Sequence, residues 1–183
     1  MGASVDGGSP VPGGPGRPGQ DPVPAADDAV DAGAERPRPL STERLTERLA
    51  ALRYHYFVDS EGDVGGLWHG RLFHFYLFGD HQQVLQVRGR WNRRIAIERL
   101  GETLALCDRW NRELVWPKCY VRVLDDGYVH VMAEVSTPLG SGVTDAQLAT
   151  HIQNGLTHAR AVFDALDERF PAPAARPPLR GED

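Results

Sequence analysis

Residues 71–91 read RLFHFYLFGDHQQVLQVRGRW, and the fold class follows from how they alternate. Phe73, Phe75 and Leu77 fall on one parity, and Leu85 and Val87 resume it after the turn Gly79-Asp80-His81. A period of two with a single apolar parity marks antiparallel strands that are covered on one side only. The segment therefore predicts strands at 71–78 and 83–91 in a half-covered sheet.

Upstream, Ser41 is an N-cap residue, and Leu40 before it with Leu45 after it forms a hydrophobic staple. Leu45, Leu49 and Leu52 share a helical face, so a first helix is expected to end near Arg53. The aromatic, β-branched run Tyr54–Val58 reads as a strand, residues 59–63 as a turn, and 64–69 as a further strand before Gly70.

Downstream the period changes. From Ile95 to about Leu114 it is 3.6, with Ile97, Leu100, Leu104, Cys107 and Leu114 on one expected face. Gly101 beside that stripe is expected to admit a close backbone. Asn111 falls on the same apolar line, where a buried amide needs partners, and it is expected to hold the loop after the helix. Pro117 opens a hairpin in which Cys119, Val121 and Val123 point inward, Asp125-Asp126-Gly127 turns, and Val129, Val131, Ala133 and Val135 return. Thr144 with Gln147 is a capping box, and Leu148, Ile152, Gly155, Ala159, Val162 and Leu166 follow as the stripe of a last helix ending before Pro171. The order α-β-β-β-β-α-β-β-α has no repeating strand–helix–strand unit. It predicts an α+β fold, an antiparallel sheet with segregated helices.

The flanks are different in kind. Residues 1–39 hold 8 glycines, 8 prolines and no aromatic side chain, and 171–183 read PAPAARPPLRGED. Such stretches bury too little apolar surface to offset the entropy of ordering them, so both are expected to be disordered around a domain at 40–170. The chain's net charge is −5, of which the first 39 residues carry −3 and the last 13 carry none, leaving −2 for the domain. No global field therefore attracts nucleic acid or an anionic membrane. No basic, apolar leader follows Met1, no run approaches the ~18 apolar residues of a membrane span, and Cys107 and Cys119 lack metal or redox spacing. These features predict a cytoplasmic protein with two small buried thiols.

The run Cys107-Asp-Arg-Trp-Asn-Arg-Glu-Leu-Val-Trp-Pro-Lys-Cys-Tyr-Val121 resembles the YbjN-domain family, in which a helix ends in an Asn-x-x-Asn-like turn before Trp-Pro and a strand. Asp108 stands at the first Asn-like position and Asn111 at the second. Gly142-Val143-Thr144-Asp145-x-x-Leu148 is a second shared feature, and the resemblance spans about 41–169. It implies a bacterial sensory-transduction regulator with a fold similar to type III secretion chaperones, which are small dimeric α+β proteins that bind other polypeptides. The family has no agreed catalytic residues, so the resemblance supplies none.

Motifs with chemistry are scarce. His55, His69, His74, His81, His130, His151 and His158 form no metal-ligand spacing, and His151 with His158 supplies two ligands at most. Asp59-x-Glu61-x-Asp63 begins like a calcium loop, but Val64 stands where Gly is required and Gly70 where a bidentate Glu is. No phosphate-binding glycine loop and no nucleophile elbow occur. The sequence therefore predicts no cofactor, no metal and no enzyme. A small-molecule sensor would need a concave pocket that a sequence does not reveal.

Two features remain. Arg88-Gly-Arg-Trp-Asn-Arg-Arg94 sets four arginines around a Trp and could contact nucleic acid, against which the near-neutral domain argues. The parity opposite the apolar set holds Gln86, Arg88, Arg90, Tyr120, Arg122, Tyr128, His130, Met132 and Glu134, with His74 and Tyr76 on the strand before. A plain solvated face is usually Lys, Glu, Thr and Ser; Tyr, Arg and Met are residues of protein interfaces. Arg88, Arg90, Tyr120, Arg122, Tyr128, His130 and Met132 are therefore the candidate protein-binding residues, for a partner chain or for a homodimer.

Overall fold

The computed structural model describes residues 35–125 and 127–171. Helix α1 (Thr42–Ala51) starts where Ser41 accepts a hydrogen bond from the Arg44 backbone N–H at 3.3 Å, with Leu40, Leu45 and Leu49 buried. Strands β1 (Phe57–Val58), β2 (Val64–Trp68), β3 (Arg71–Phe78) and β4 (Val84–Arg90) follow as an antiparallel run. The Tyr54–Val58 run is a strand only at its last two residues. Asp59 Oδ1 closes the next turn by accepting from the N–H groups of Glu61 and Asp63, both at 2.9 Å.

The segment expected to be one helix from Ile95 divides in three. Ile95–Ala96 is a short strand, β5, a 3₁₀ turn covers Ile97–Arg99, and α2 spans Leu100–Glu113. Pairing explains the division, because Ile95 lies opposite Val129 and is buried. Hairpin strands β6 (Lys118–Val123) and β7 (Tyr128–Pro138) come next, then α3 (Asp145–Arg169). The capping box expected for α3 is present, with Thr144 Oγ1 accepting from the Gln147 N–H at 3.1 Å and Gln147 Oε1 from the Thr144 N–H at 2.9 Å.

The sheet is antiparallel throughout, in the order β1-β2-β3-β4-β7, with β6 on the other edge of β7 and β5 continuing the line of β4. Met132, Ala133 and Glu134 pair with both β4 and β6, so β7 is the central strand of the covered part. Helix α3 packs on β4 and β7, α1 on α3, and α2 on β6. All the stripe residues expected for α3 are buried, together with Leu156 and Phe163. At the crossing, a Cβ on Gly155 would lie 2.5 Å from Val87, and one on Gly89 would lie 2.6 Å from the Phe73 ring. Glycine at both positions is what brings α3 down onto the sheet.

The α2 stripe is corrected. Ile97, Leu104 and Leu114 are exposed, while Thr103 and Cys107 are buried and Leu100, Leu106 and Trp110 pack on the core. Nothing lies within contact of the site of a Cβ on Gly101, so no backbone approaches it. Val123 is likewise exposed rather than inward. Asn111 does what its position predicts, donating from Nδ2 to the Cys119 carbonyl and accepting at Oδ1 from the Cys119 N–H, both at 2.8 Å. The two free thiols Cys107 and Cys119 meet beside it, Sγ to Sγ 3.0 Å, buried between α2 and β6.

Two carboxylates tie the helices in place. Asp145 gathers Arg38, Arg44 and Arg48, which hold it below the usual carboxylate range. Asp167 on α3 accepts from Trp91 Nε1 at 3.0 Å and from Arg71 and Arg93. Arg38 also exchanges backbone hydrogen bonds with Val143 at 3.1 and 2.9 Å, so residues just before Leu40 are tied to the domain. The remainder of the two expected flanks, 1–34 and 172–183, lies outside the described residues, as does Asp126 of the β6–β7 turn. No helix among the described residues is long and apolar enough to cross a membrane.

Candidate docking face on the open side of the sheet

Because adjacent strands are in fixed register, the parity opposite Phe73 and Val87 forms rows across four strands. One row is Leu72, Arg90, Met132 and Tyr120, and the next is His74, Arg88, Glu134 and Lys118. Tyr76, Gln86 and Ser136 make a third on one side, and Arg122 lies opposite His130 on the other. No helix among the described residues covers these rows. Four cations thus stand on the face against one carboxylate, Glu134.

That carboxylate is already engaged. Glu134 Oε2 accepts from Arg88 Nε at 3.0 Å and from the Tyr120 hydroxyl at 2.9 Å. Arg88 in turn donates to Gln86 Oε1 and lies over the Tyr76 ring, 4.7 Å from its centroid. Burial, and then the Glu134 hydrogen bond, push the Tyr120 hydroxyl up to about 12. Burial also raises the Tyr76 hydroxyl, against the opposing charge of Arg88. The centre of the face is therefore a fixed polar network, and a satisfied network of this kind holds its side chains in one arrangement.

Around the network the structure leaves a groove of about 160 Å³, lined by Leu72, His74, Tyr76, Arg88, Arg90, Arg122, Leu124, His130 and Met132. Of the candidate residues, Arg88, Arg90, Arg122, His130 and Met132 line it, and Tyr120 lies opposite Met132 without lining it. Tyr128 has the same parity but sits at the start of β7 beneath Arg94, 4.0 Å from the guanidinium carbon to the ring centroid, and does not line the groove. Leu72 and Leu124 complete the floor and were not singled out by alternation. Toward β1, Phe57 sits edge-on to His74, and Leu67, opposite Leu72, is exposed, so an apolar margin adjoins the cationic rows.

The Arg88–Arg94 segment is not one surface. Arg88 and Arg90 lie on the open face, Arg93 reaches Asp167 on the helix side, and Trp91 is 2% exposed, inside the core. A buried Trp91 has no face on which a base could stack. Among the described residues, no group of three or more His, Cys, Asp or Glu is placed to hold a metal. A second cleft, about 300 Å³, lies between the β2–β3 hairpin and α3, lined by Tyr54, Trp68, His69, Phe73, Leu156, Thr157 and Arg160 among others.

Comparison with known proteins agrees with this architecture. The sequence model of the YbjN family, described as "Putative bacterial sensory transduction regulator", matches residues 41–168. No curated protein matches the chain. Among solved structures, the chain is similar to YbjN, "a putative transcription regulator from E. coli", at 13% identity and a TM-score of 0.61, over 73% of this chain and 96% of that one. It is similar to an uncharacterized protein from Methanothermobacter thermautotrophicus at 11% identity and a TM-score of 0.51, over 72% and 99% of the two chains. The HopA1–SchA chaperone–effector complex is matched at 14% identity and a TM-score of 0.42, over 69% and 99%. With the family pattern running from the cap of α1 to the end of α3, this chain belongs to the YbjN family.

Proposed function

We propose that the chain is a non-enzymatic, cytoplasmic regulatory or chaperone-like adaptor that docks a protein partner on the open face of its sheet. The observation that carries this reading is the groove lined by Arg90, Arg122, His130 and Met132 beside a prearranged Arg88–Glu134–Tyr120 network. Arginine, tyrosine and methionine around a shallow concavity are the composition of interface hot spots, and the fixed network lowers the ordering cost of binding. The regulator description of the family supports the same reading.

We place homodimerisation elsewhere. An isologous contact through the open face would set its four cations near their own copies, a like-charge juxtaposition that disfavours association. Exposed apolar side chains in the α2–β6 region, Leu104, Leu114, Val115 and Trp116, support a copy-to-copy contact there. A small-molecule sensor reading has one observation in its favour, the aromatic cleft beside His69 and Arg160, whose size matches the lower bound of ligand pockets.

The test of the main reading is crosslinked affinity capture from native cells with the full chain and with alanine at Tyr120 and Arg122. Loss of a crosslinked partner, with sedimentation and thermal unfolding unchanged, is the expected result. An identical partner set from both forms would overturn the docking assignment.

A further inference from the structure

We infer that the groove on the open face takes an acidic, extended segment of a partner protein, with carboxylates on Arg90 and Arg122 and an apolar side chain on the floor of Leu72, Leu124 and Met132. The inference rests on the docking reading above and names the chemistry of what docks.

Charge complementarity is the first argument. Arg90 and Arg122 are exposed at the groove, and no described residue forms an ion pair with either. Arg88 is different, being held by Glu134, Gln86 and the Tyr76 ring. Two guanidiniums with no ion pair to any described residue thus flank a floor whose own carboxylate is occupied. Guanidinium forks pair with carboxylates in bidentate geometry, and the one carboxylate of these rows, Glu134, is already held by Arg88 and Tyr120.

Size is the second argument. At about 160 Å³ the groove is well below the 300–1,000 Å³ of drug-sized ligand sites and suits one or two side chains of a passing polypeptide. The floor decides what lies between the carboxylates. Met132 is 8% exposed, and Leu72 and Leu124 are half-buried, so an apolar side chain there completes their cover. Leu67 and Phe57 extend the apolar surface toward β1 along the same side.

A nucleic acid fits the same charges less well. With Trp91 buried and Arg93 on Asp167, the unengaged arginines do not form a track, and the chain's net charge is −5. Two phosphate contacts give only a shallow salt slope, about −0.9 per contact, and little affinity.

The experiment is fluorescence anisotropy on the full chain with three probes of equal length. One is a labelled dodecapeptide (Asp-Leu-Glu-Ser)₃, one the same peptide with Lys for each acid, and one a labelled oligodeoxythymidine. Saturable binding of the acidic peptide alone is expected, weakened about tenfold or more by Arg90→Glu with Arg122→Glu and restored in part by Arg→Lys at both positions. Unchanged thermal unfolding of each variant separates loss of the site from loss of the fold. Equal binding of both peptides, or indifference to the charge reversals, would overturn the acidic assignment; the docking face itself would still stand if the capture experiment above retained its Tyr120- and Arg122-dependent partner. Tighter binding of the oligonucleotide than of the acidic peptide would assign the groove to phosphates instead. If Asp27→Asn, Asp28→Asn and Asp31→Asn together strengthened peptide binding, the groove would belong to the chain's own acidic segment and the partner assignment would fall.

Discussion

The two sides of the β3–β4–β7–β6 sheet are built from the same strands, one residue out of step. On the covered side, Phe73, Phe75, Val87, Ala133 and Val135 are buried in the core, Phe73 against Phe163 and Val87 against Gly155 of α3, and residue choice is governed by volume: glycine at 89 and 155 is there because a Cβ would strike Phe73 or Val87. On the open side, His74, Tyr76, Arg88, Tyr120 and Glu134 are half-buried against one another, with no helix of the described residues above them. There the residues are ordered by hydrogen bonds and charge. The contrast teaches that this sheet divides its work: one side supplies the cohesion of the domain, and the other is held in a defined arrangement that cohesion does not require.

If that division is right, the largest effects on stability come from the covered side. Phe163→Ala removes the ring that packs on Phe73 and above Gly89, and is expected to cost about 3–5 kcal/mol in denaturant unfolding. At the α2–β6 junction, Asn111→Ala leaves the Cys119 N–H and carbonyl without their partner, for about 1–3 kcal/mol, while Asn111→Asp retains the acceptor and recovers part of it.

Asp167→Asn tests the tie between α3 and the end of β4. Burial pushes this carboxyl up, but hydrogen bonds from Arg93, Arg71 and Trp91 outweigh it, and its pKa lies below the ordinary value. A carboxylate lowered in the folded state contributes its full stabilisation above the unfolded-state pKa, near 3.9, and loses it as pH falls through the folded one. The substitution is therefore expected to cost about 1–2 kcal/mol at neutral pH, discounted because the carboxylate is 39% exposed, and to flatten the acid limb below about pH 4. A limb of unchanged slope would assign the acid sensitivity to Asp145 and its three arginines.

The smallest stability effects are expected on the open side. Tyrosinate absorbance should show a tyrosine titrating at about 12, and Glu134→Gln should lower it only in part, because burial, the larger cause, remains when the anion that helps hold the proton is removed. Reversing Arg90 and Arg122 should leave unfolding within about 0.5 kcal/mol, as expected for exposed sites without an ion pair to a described residue. A loss comparable to that of Phe163→Ala would break the division between the two faces.

Much of this arrangement is legible in the chain itself. Ser41, the Thr144–Gln147 box, the alternation of 71–91 and the stripe of α3 each state a local preference that tertiary structure keeps. The role of Asn111 follows from a polar residue on an apolar line. Helix α2 is less legible because Leu100, Leu104, Leu106, Cys107 and Trp110 occupy more than one face, so periodicity admits two rotations; packing on β6 selects the one that buries Thr103 and exposes Leu104. Ile95 looks like the start of that helix and instead extends the line of β4, a choice made by its partner Val129, more than thirty residues away. The same holds on the candidate face. Parity puts Arg88, Arg90 and Arg122 on one side, but only the register with β7 engages Arg88 through Glu134 and leaves Arg90 beside Met132. Trp91 reads as a surface ring among arginines until Asp167, from the far end of the chain, is found bonded to it.

The most direct test of the docking claim is site-specific photo-crosslinking in native cells, with the photoreactive residue placed at position 67 on the exposed margin of the open face or at position 47 on the exposed side of α1. The account predicts a partner polypeptide crosslinked from position 67 and none from position 47. Crosslinks from position 47 alone, or none from 67 in a chain that retains its thermal unfolding, would contradict it.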